Sequence, residues 1–239
     1  MFQSVLQKTP LQSGLLILPI TVTEAVMGII SGLVMHRTGR YRELIWVGLI
    51  LLTIGNGLYI SLDANSSIGK IIGYQLVAGV GAGMLFQPPL IALQAWVSQE
   101  DTATATATFG FILNLGTSAS IVIGGVVFQN GMSTRAPHLR AAGLSTQLVE
   151  EFTGPRAASN VLSVADIRDP AQQKIVKEAF AWSLRNMWIM YACLAALGLL
   201  VSLGIHKAVL SKEHTETVTG LKKDQGGSGN GQLVSEAEA

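Results

Sequence analysis

The sequence predicts an all-α fold, a polytopic bundle of membrane helices, and three observations carry that prediction. Only 13% of the 239 residues are charged and 49% are hydrophobic, for a mean hydropathy of +0.44, against about 25% charged residues in an average soluble domain. Charge is missing from whole windows: no Asp, Glu, Lys or Arg occurs from Leu44 to Leu62, Ile71 to Gln99, Thr102 to Thr134 or Asn186 to Ile205. A helix needs about 20 such residues to cross a hydrocarbon core of about 30 Å, and lipid-exposed backbone must be helical or in a closed barrel. The windows lack the sustained alternation of a barrel strand, so helices are expected. Finally, Arg37, Arg40 and Arg42 crowd into the short gap between the first two apolar blocks, which pins them at one membrane face.

Several function classes find no support in the same composition. A net charge of +1 speaks against nucleic acid, which calls for a basic patch or domain. His36, His138, His206 and His214 are scattered, and no spacing assembles a metal site. No phosphate-binding lysine loop, zinc-protease helix or serine elbow occurs, so neither an enzyme nor a cofactor is expected. Cys193, the one cysteine, lies in the last apolar window and has no intrachain disulfide partner.

Five spans are expected. A polar lead, 1–13, carries no basic segment followed by a short apolar core, so it does not read as a signal peptide. Span one (about 14–35) holds Glu24 near its middle. About a dozen apolar residues at about −0.3 to −0.6 kcal/mol each outweigh a central acid that opposes insertion by about 2 to 3 kcal/mol. Insertion survives, but Glu24 should not face lipid: it is either a proton or cation site, or a protonated or paired glutamate between helices. In the link that follows, Gly39 suits a positive backbone dihedral, and the arginines can meet the negative end of the helix dipole. Span two (about 44–62) carries Asn56 between Gly55 and Gly57, a close-packing pattern.

Span three (about 73–96) is the most informative. At about 100° per residue, Gln75, Gly79, Gly83, Gln87 and Gln94 fall within about 120° of arc. Glycines four apart allow close backbone approach, and Pro88 and Pro89 bend the helix. The amide face either lines a pathway or bonds between helices. In span four (about 104–128), Gly116, Ser120 and Gly124 form a ridge at four-residue spacing, with Asn114 on the polar flank. A long loop, 131–184, is expected next, with Asp169-Pro170 starting an amphipathic helix that leads into span five (about 187–206), where Trp182, Trp188 and Tyr191 fit an interfacial belt. The tail, 207–239, is polar and rich in glycine near its end, the composition of a disordered segment.

The order Gly32, Arg37, Gly39, Arg40, Arg42 resembles the loop motif of the major facilitator superfamily, with His36 standing where that motif has an acid. Gly73-Tyr74-Gln75, Gly79-x-Gly81-x-Gly83, Gln87-x-Pro89, Ala92-x-Gln94 and Phe128-Gln129-Asn130 resemble the fungal fourteen-span drug:proton antiporters, as do Phe2–Val5, Pro10–Gly14 and the tail around Ser211–His214. The resemblance implies the C-terminal part of a major facilitator fold, about its last five spans, with the N-terminal spans missing. It implies a secondary carrier exporting small organic compounds against proton entry, and a gating role for Gly32, Arg37, Gly39, Arg40 and Arg42. It favours the pathway reading for Gln75, Gln87 and Gln94; Glu24, by its charge inside a span, and Asn114, by its place on the polar flank, complete the candidates for the substrate or proton pathway. The motif and tail are then cytoplasmic and the long loop outside, in the plasma membrane or the vacuolar membrane. Alternating access needs two repeats moving about a central site, so the second reading is a truncated or packing membrane fragment that does not itself transport.

Overall fold

The computed structural model describes residues 1–154, 157 and 159–205. The tail expected at 207–239, and His206 at the expected end of span five, lie outside the described residues. Among the described residues seven α-helices follow in order: α1 (Pro10–Thr38), α2 (Tyr41–Tyr59), α3 (Ile68–Met84), α4 (Pro88–Gln94), α5 (Thr102–Ala141), α6 (Thr146–Thr153) and α7 (Pro170–Ser202). One turn of 3-10 helix, Ser163–Asp166, precedes α7, and the described residues contain no strand. The protein is thus an all-α bundle. Four stretches of the described residues are long and apolar enough to cross a membrane: α1, α3 and α4 taken together, α5, and α7. The remaining expected span, α2, has 19 residues with Glu43 in its first turn. At about 1.5 Å per residue it extends about 28 Å, near the thickness of a bilayer core.

Local chemistry sets the helix ends. The Thr9 hydroxyl accepts from Gln12 N, the Gln12 side chain accepts from Thr9 N, and Pro10 follows in the first turn. This capping box starts α1 ahead of the apolar run that marked position 14. At the other end Gly39 adopts φ +67° and donates its N–H to Met35 O at 2.7 Å. The link to α2 is therefore only Gly39 and Arg40. Span three, expected as one bent helix, is broken: α3 ends at Met84 and the two prolines open α4 after Leu85–Gln87. A proline has no N–H to donate to the preceding turn, and the first positions of a new helix are where that donor is not needed.

The bundle centres on α3, which lies between α1 and α2. Glycine allows that approach on both sides. A Cβ at Gly79 would stand 2.9 Å from Ile20 O, and one at Gly83 would run into the Glu24 carbonyl oxygen. On the α2 side a Cβ at Gly81 would run into Leu52 N and stand 2.9 Å from Gly48 O. Both walls are backbone and cannot rotate away. Gly81→Leu is therefore expected to destabilise the bundle by about 1–3 kcal/mol or more, read as a lower unfolding temperature in detergent, while Gly57→Leu, which faces open space, changes it little.

Beyond α2 the order continues with α7 and then α5. The Tyr191 hydroxyl donates to Ser120 O at 3.1 Å and rests against Gly124, and a Cβ at Gly131 would stand 2.9 Å from Ser183 Cβ. Gly116, the start of the expected ridge, faces open space, so the α5–α7 contact begins at Ser120.

The stretch expected as a loop, 131–184, is instead a folded cap. Its first residues extend α5 to Ala141, α6 and the 3-10 turn fold back, and α7 begins at Pro170 with the Asp169 side chain accepting from Ala171 N at 2.9 Å. Met132, Leu139, Val149, Phe152, Val164, Val176 and Phe180 are fully buried in one core. Phe180 stacks on Phe128 and meets Phe152 edge-on, both at 5.9 Å between centroids. The amphipathic lead and span five are one continuous helix, because nothing between Pro170 and Ser202 interrupts it. Of the aromatics expected in an interfacial belt, all partly buried, Trp188 lies 4.5 Å from the Tyr59 ring and Trp182 lies under Arg135 at 4.2 Å.

Candidate functional site

Glu24 sits mid-helix in α1, half-buried, on the wall of a groove of about 460 Å³ that it shares with Thr21, Ala25, Gly28, Ile29, Phe86 and Gln87. The interruption between α3 and α4 creates this arrangement, because Phe86 (65% exposed) and Gln87 leave the helical rows there and join the groove. Gly83 fixes the distance from the other side by seating α3 directly on the Glu24 backbone. No cation reaches the carboxylate: the one ion pair among the described residues is Lys174–Glu178 at 4.0 Å. A carboxylate, an amide and an exposed ring in one groove form a set able to hold a proton or an organic cation.

The other pathway candidates are placed apart from it. Gln75 is 5% exposed, one turn before Gly79, and its Oε1 has no hydrogen-bond partner. Gln94 Nε2 donates to Thr106 Oγ1 at 2.9 Å and ties α4 to α5. Asn114 is exposed on α5 and donates to Gly110 O at 2.9 Å within its own helix. No group of three or more His, Cys, Asp or Glu able to hold a metal occurs among the described residues.

A second space of about 510 Å³ lies towards the cap, between α1, α5 and α7. Ser13, Ile17, Ile121, Gly125 and Tyr191 line it, and the lead closes it with Phe2 and Ser4. Gln7, at φ +50°, holds the lead there by donating to Gln3 O, Ser4 O and Val161 O. Sequence reasoning did not single out Ser4, Ser13 or Phe86 for a site, and placed Tyr191 only in an interfacial belt. Plotting α1 at about 100° per residue would have placed Ser13 on the face of Glu24.

At the opposite end of α1, Arg37 and Arg40 are exposed and Gly32 faces open space. Arg37 lies in the last turn of α1, where the helix dipole favours a cation. Arg42 stacks over Trp46 at 4.7 Å, and Trp46 Nε1 donates to Ser202 O at 3.1 Å, joining the link to the end of α7.

Comparison with known proteins adds a family. A model described as Major Facilitator Superfamily matches residues 2–216. The chain is 40% identical over 220 residues to the MFS-type transporter ppz2 of Metarhizium majus, covering 92% of this chain and 38% of that protein. It is 37% identical over 221 residues to the efflux pump dotC of Dothistroma septosporum, covering 92% and 37%. The Acurin A biosynthesis cluster MFS-type transporter of Aspergillus aculeatus is 30% identical over 230 residues, with 92% and 40% covered. The chain thus spans well under half the length of these relatives. No solved structure matches it.

Proposed function

The chain belongs to the Major Facilitator Superfamily, and from that premise we propose that it is part of a secondary active carrier of the fourteen-span drug:proton antiporter branch, exporting small organic compounds in exchange for protons. The observation that carries the reading is Glu24, a carboxylate without a cationic partner among the described residues, in a groove inside the membrane-spanning part of α1. A site of this kind exchanges its proton for substrate when both favour the same carboxylate, so that one must leave before the other binds. Relatives named as efflux pumps agree with the direction. The carrier acts in the plasma membrane, with the cap outside and the Gly32–Arg42 link and tail in the cytoplasm, where the exposed arginines belong. The coverage of 38% favours a second reading for this polypeptide by itself: a membrane-packed unit that moves nothing unless joined to further spans.

Vesicle transport tests the proposal. In vesicles holding the complete carrier, ethidium is expected to move when a pH gradient is imposed and to stop when a protonophore collapses it. Movement indifferent to the gradient would defeat the antiport reading. In intact cells making the carrier, Ser159→Cys in the cap is expected to react with an impermeant thiol reagent before permeabilisation, and Arg40→Cys only after it. The opposite pattern would invert the orientation.

A further inference from the structure

Along α1, Ser13, Ile17, Thr21, Glu24 and Gly28 follow one another at spacings of three or four residues and fall within about 80° of arc. The cavity near the cap uses the first two and the groove uses the other three. The two spaces therefore lie end to end on one face of α1, over about 22 Å of helix. The other faces differ in kind. Leu15, Val22, Val26 and Leu33 form an exposed apolar back, while Ile20, Thr23 and Met27 pack on Gly79 and Gly83 of α3.

An independent observation concerns the contents of the cavity. Ser4 and Ser13 both line it, are 6% and 4% exposed, and neither Oγ has a hydrogen-bond partner. A buried hydroxyl without a partner costs about 1–3 kcal/mol, and a space of this size accommodates on the order of ten or more waters to supply one. Across the cleft, Gly125 and Ile121 of α5 line the same cavity, and Ser118 and Asn114 continue their stripe. The start of α1 and the end of α5 both meet the cap, so the two helices run oppositely. Asn114 precedes Gly125 by the same eleven residues that separate Ser13 from Glu24, which puts Asn114 and Glu24 at similar depth.

We propose that this stripe is a hydrated proton pathway, open on the cap side, that leads from Ser4 and Ser13 past Thr21 to the carboxylate of Glu24. The proposal rests on the antiport reading and specifies the route by which its proton arrives. In the final step a hydronium ion at the inner end of the water file transfers its proton to the Glu24 carboxylate, leaving water and a neutral carboxylic acid. Among the described residues no other ionisable side chain lines the groove, and the cavity adds only the Tyr191 phenol and the Met1 amino group.

Cysteine accessibility in the membrane-inserted carrier tests it, on a background where Cys193→Ala removes the native thiol of this chain. Thiolate, the reactive form, arises in water and not in lipid. Ser13→Cys, Ile17→Cys and Thr21→Cys are therefore expected to react with a charged, impermeant thiosulfonate at least about tenfold faster than Leu15→Cys, Val22→Cys and Val26→Cys. The reagent should act from the cap side. Equal rates on the two faces, or reaction at Thr21→Cys only from the opposite side, would overturn the pathway. A dry stripe in a carrier whose ethidium movement still follows the pH gradient would refute the route and leave antiport standing. A wet stripe with movement indifferent to the gradient would refute antiport, and with it the proton as cargo.

Discussion

Replacing Glu24 by Gln is expected to uncouple transport from the proton gradient while leaving the fold in place. Each pH unit of gradient supplies about 1.4 kcal/mol, so one-for-one exchange sustains at most about a tenfold dye gradient per pH unit. Gln keeps the size and hydrogen bonding of the side chain but takes up no proton, so in the variant that gradient should fall to none. The structure makes the substitution mild: the Glu24 side chain enters no ion pair, and its tight contact with Gly83 is through the backbone carbonyl. Ethidium gradients measured in vesicles at two or three imposed pH differences give the answer. A slope unchanged from that of the parent carrier would return Glu24 to a purely structural role.

The cap supplies the second large effect. Phe180 is fully buried, held between the Phe128 ring and the edge of Phe152, so Phe180→Ala removes an aromatic side chain from a core with little freedom to collapse. The expected cost is about 3–5 kcal/mol. Because α5 and α7 both enter this core, the loss should release their cap-side ends together. Val5 of the lead lies in the same core, so the closed side of the cavity should loosen too. Protease sensitivity of the cap and the unfolding temperature in detergent report both. A variant as resistant as the parent would mean that the cap is only a connection.

Membrane-helix character was legible because it is a one-dimensional property: uncharged windows of sufficient length admit few other solutions. Turn and cap chemistry was legible for a similar reason. Gly39 stands where the chain must turn within two residues, and Asp169-Pro170 is a start signal readable in isolation. The cap was not legible. Its charged residues read as a loop against an apolar background, and its burial pattern emerges only when α6 folds back on the extended α5. The break between α3 and α4 was anticipated as a bend, because two prolines announce disruption without saying whether the helix bends or restarts.

The candidate site divides along the same line. Glu24 announced itself by charge in an apolar run, and Gln87 by its place on the amide face of span three. That they share a groove depends on Gly83 seating α3 against α1, a contact between residues 59 positions apart. The unpartnered hydroxyls of Ser4 and Ser13 depend on α5 and α7 closing the other side. No local pattern carries that information, since serine near the end of a membrane helix usually serves as a cap or bonds back to the preceding turn.

Under antiport one group, Glu24, holds either a proton or a substrate molecule, and proton release on binding measures this directly. With the complete carrier in weakly buffered detergent solution at a series of starting pH values from about 4 to 8, ethidium is added and a pH indicator is followed. Release of protons in step with bound dye, absent in Glu24→Gln, is the predicted result. Equal release in both proteins, or dye binding to the parent with no release, would contradict it.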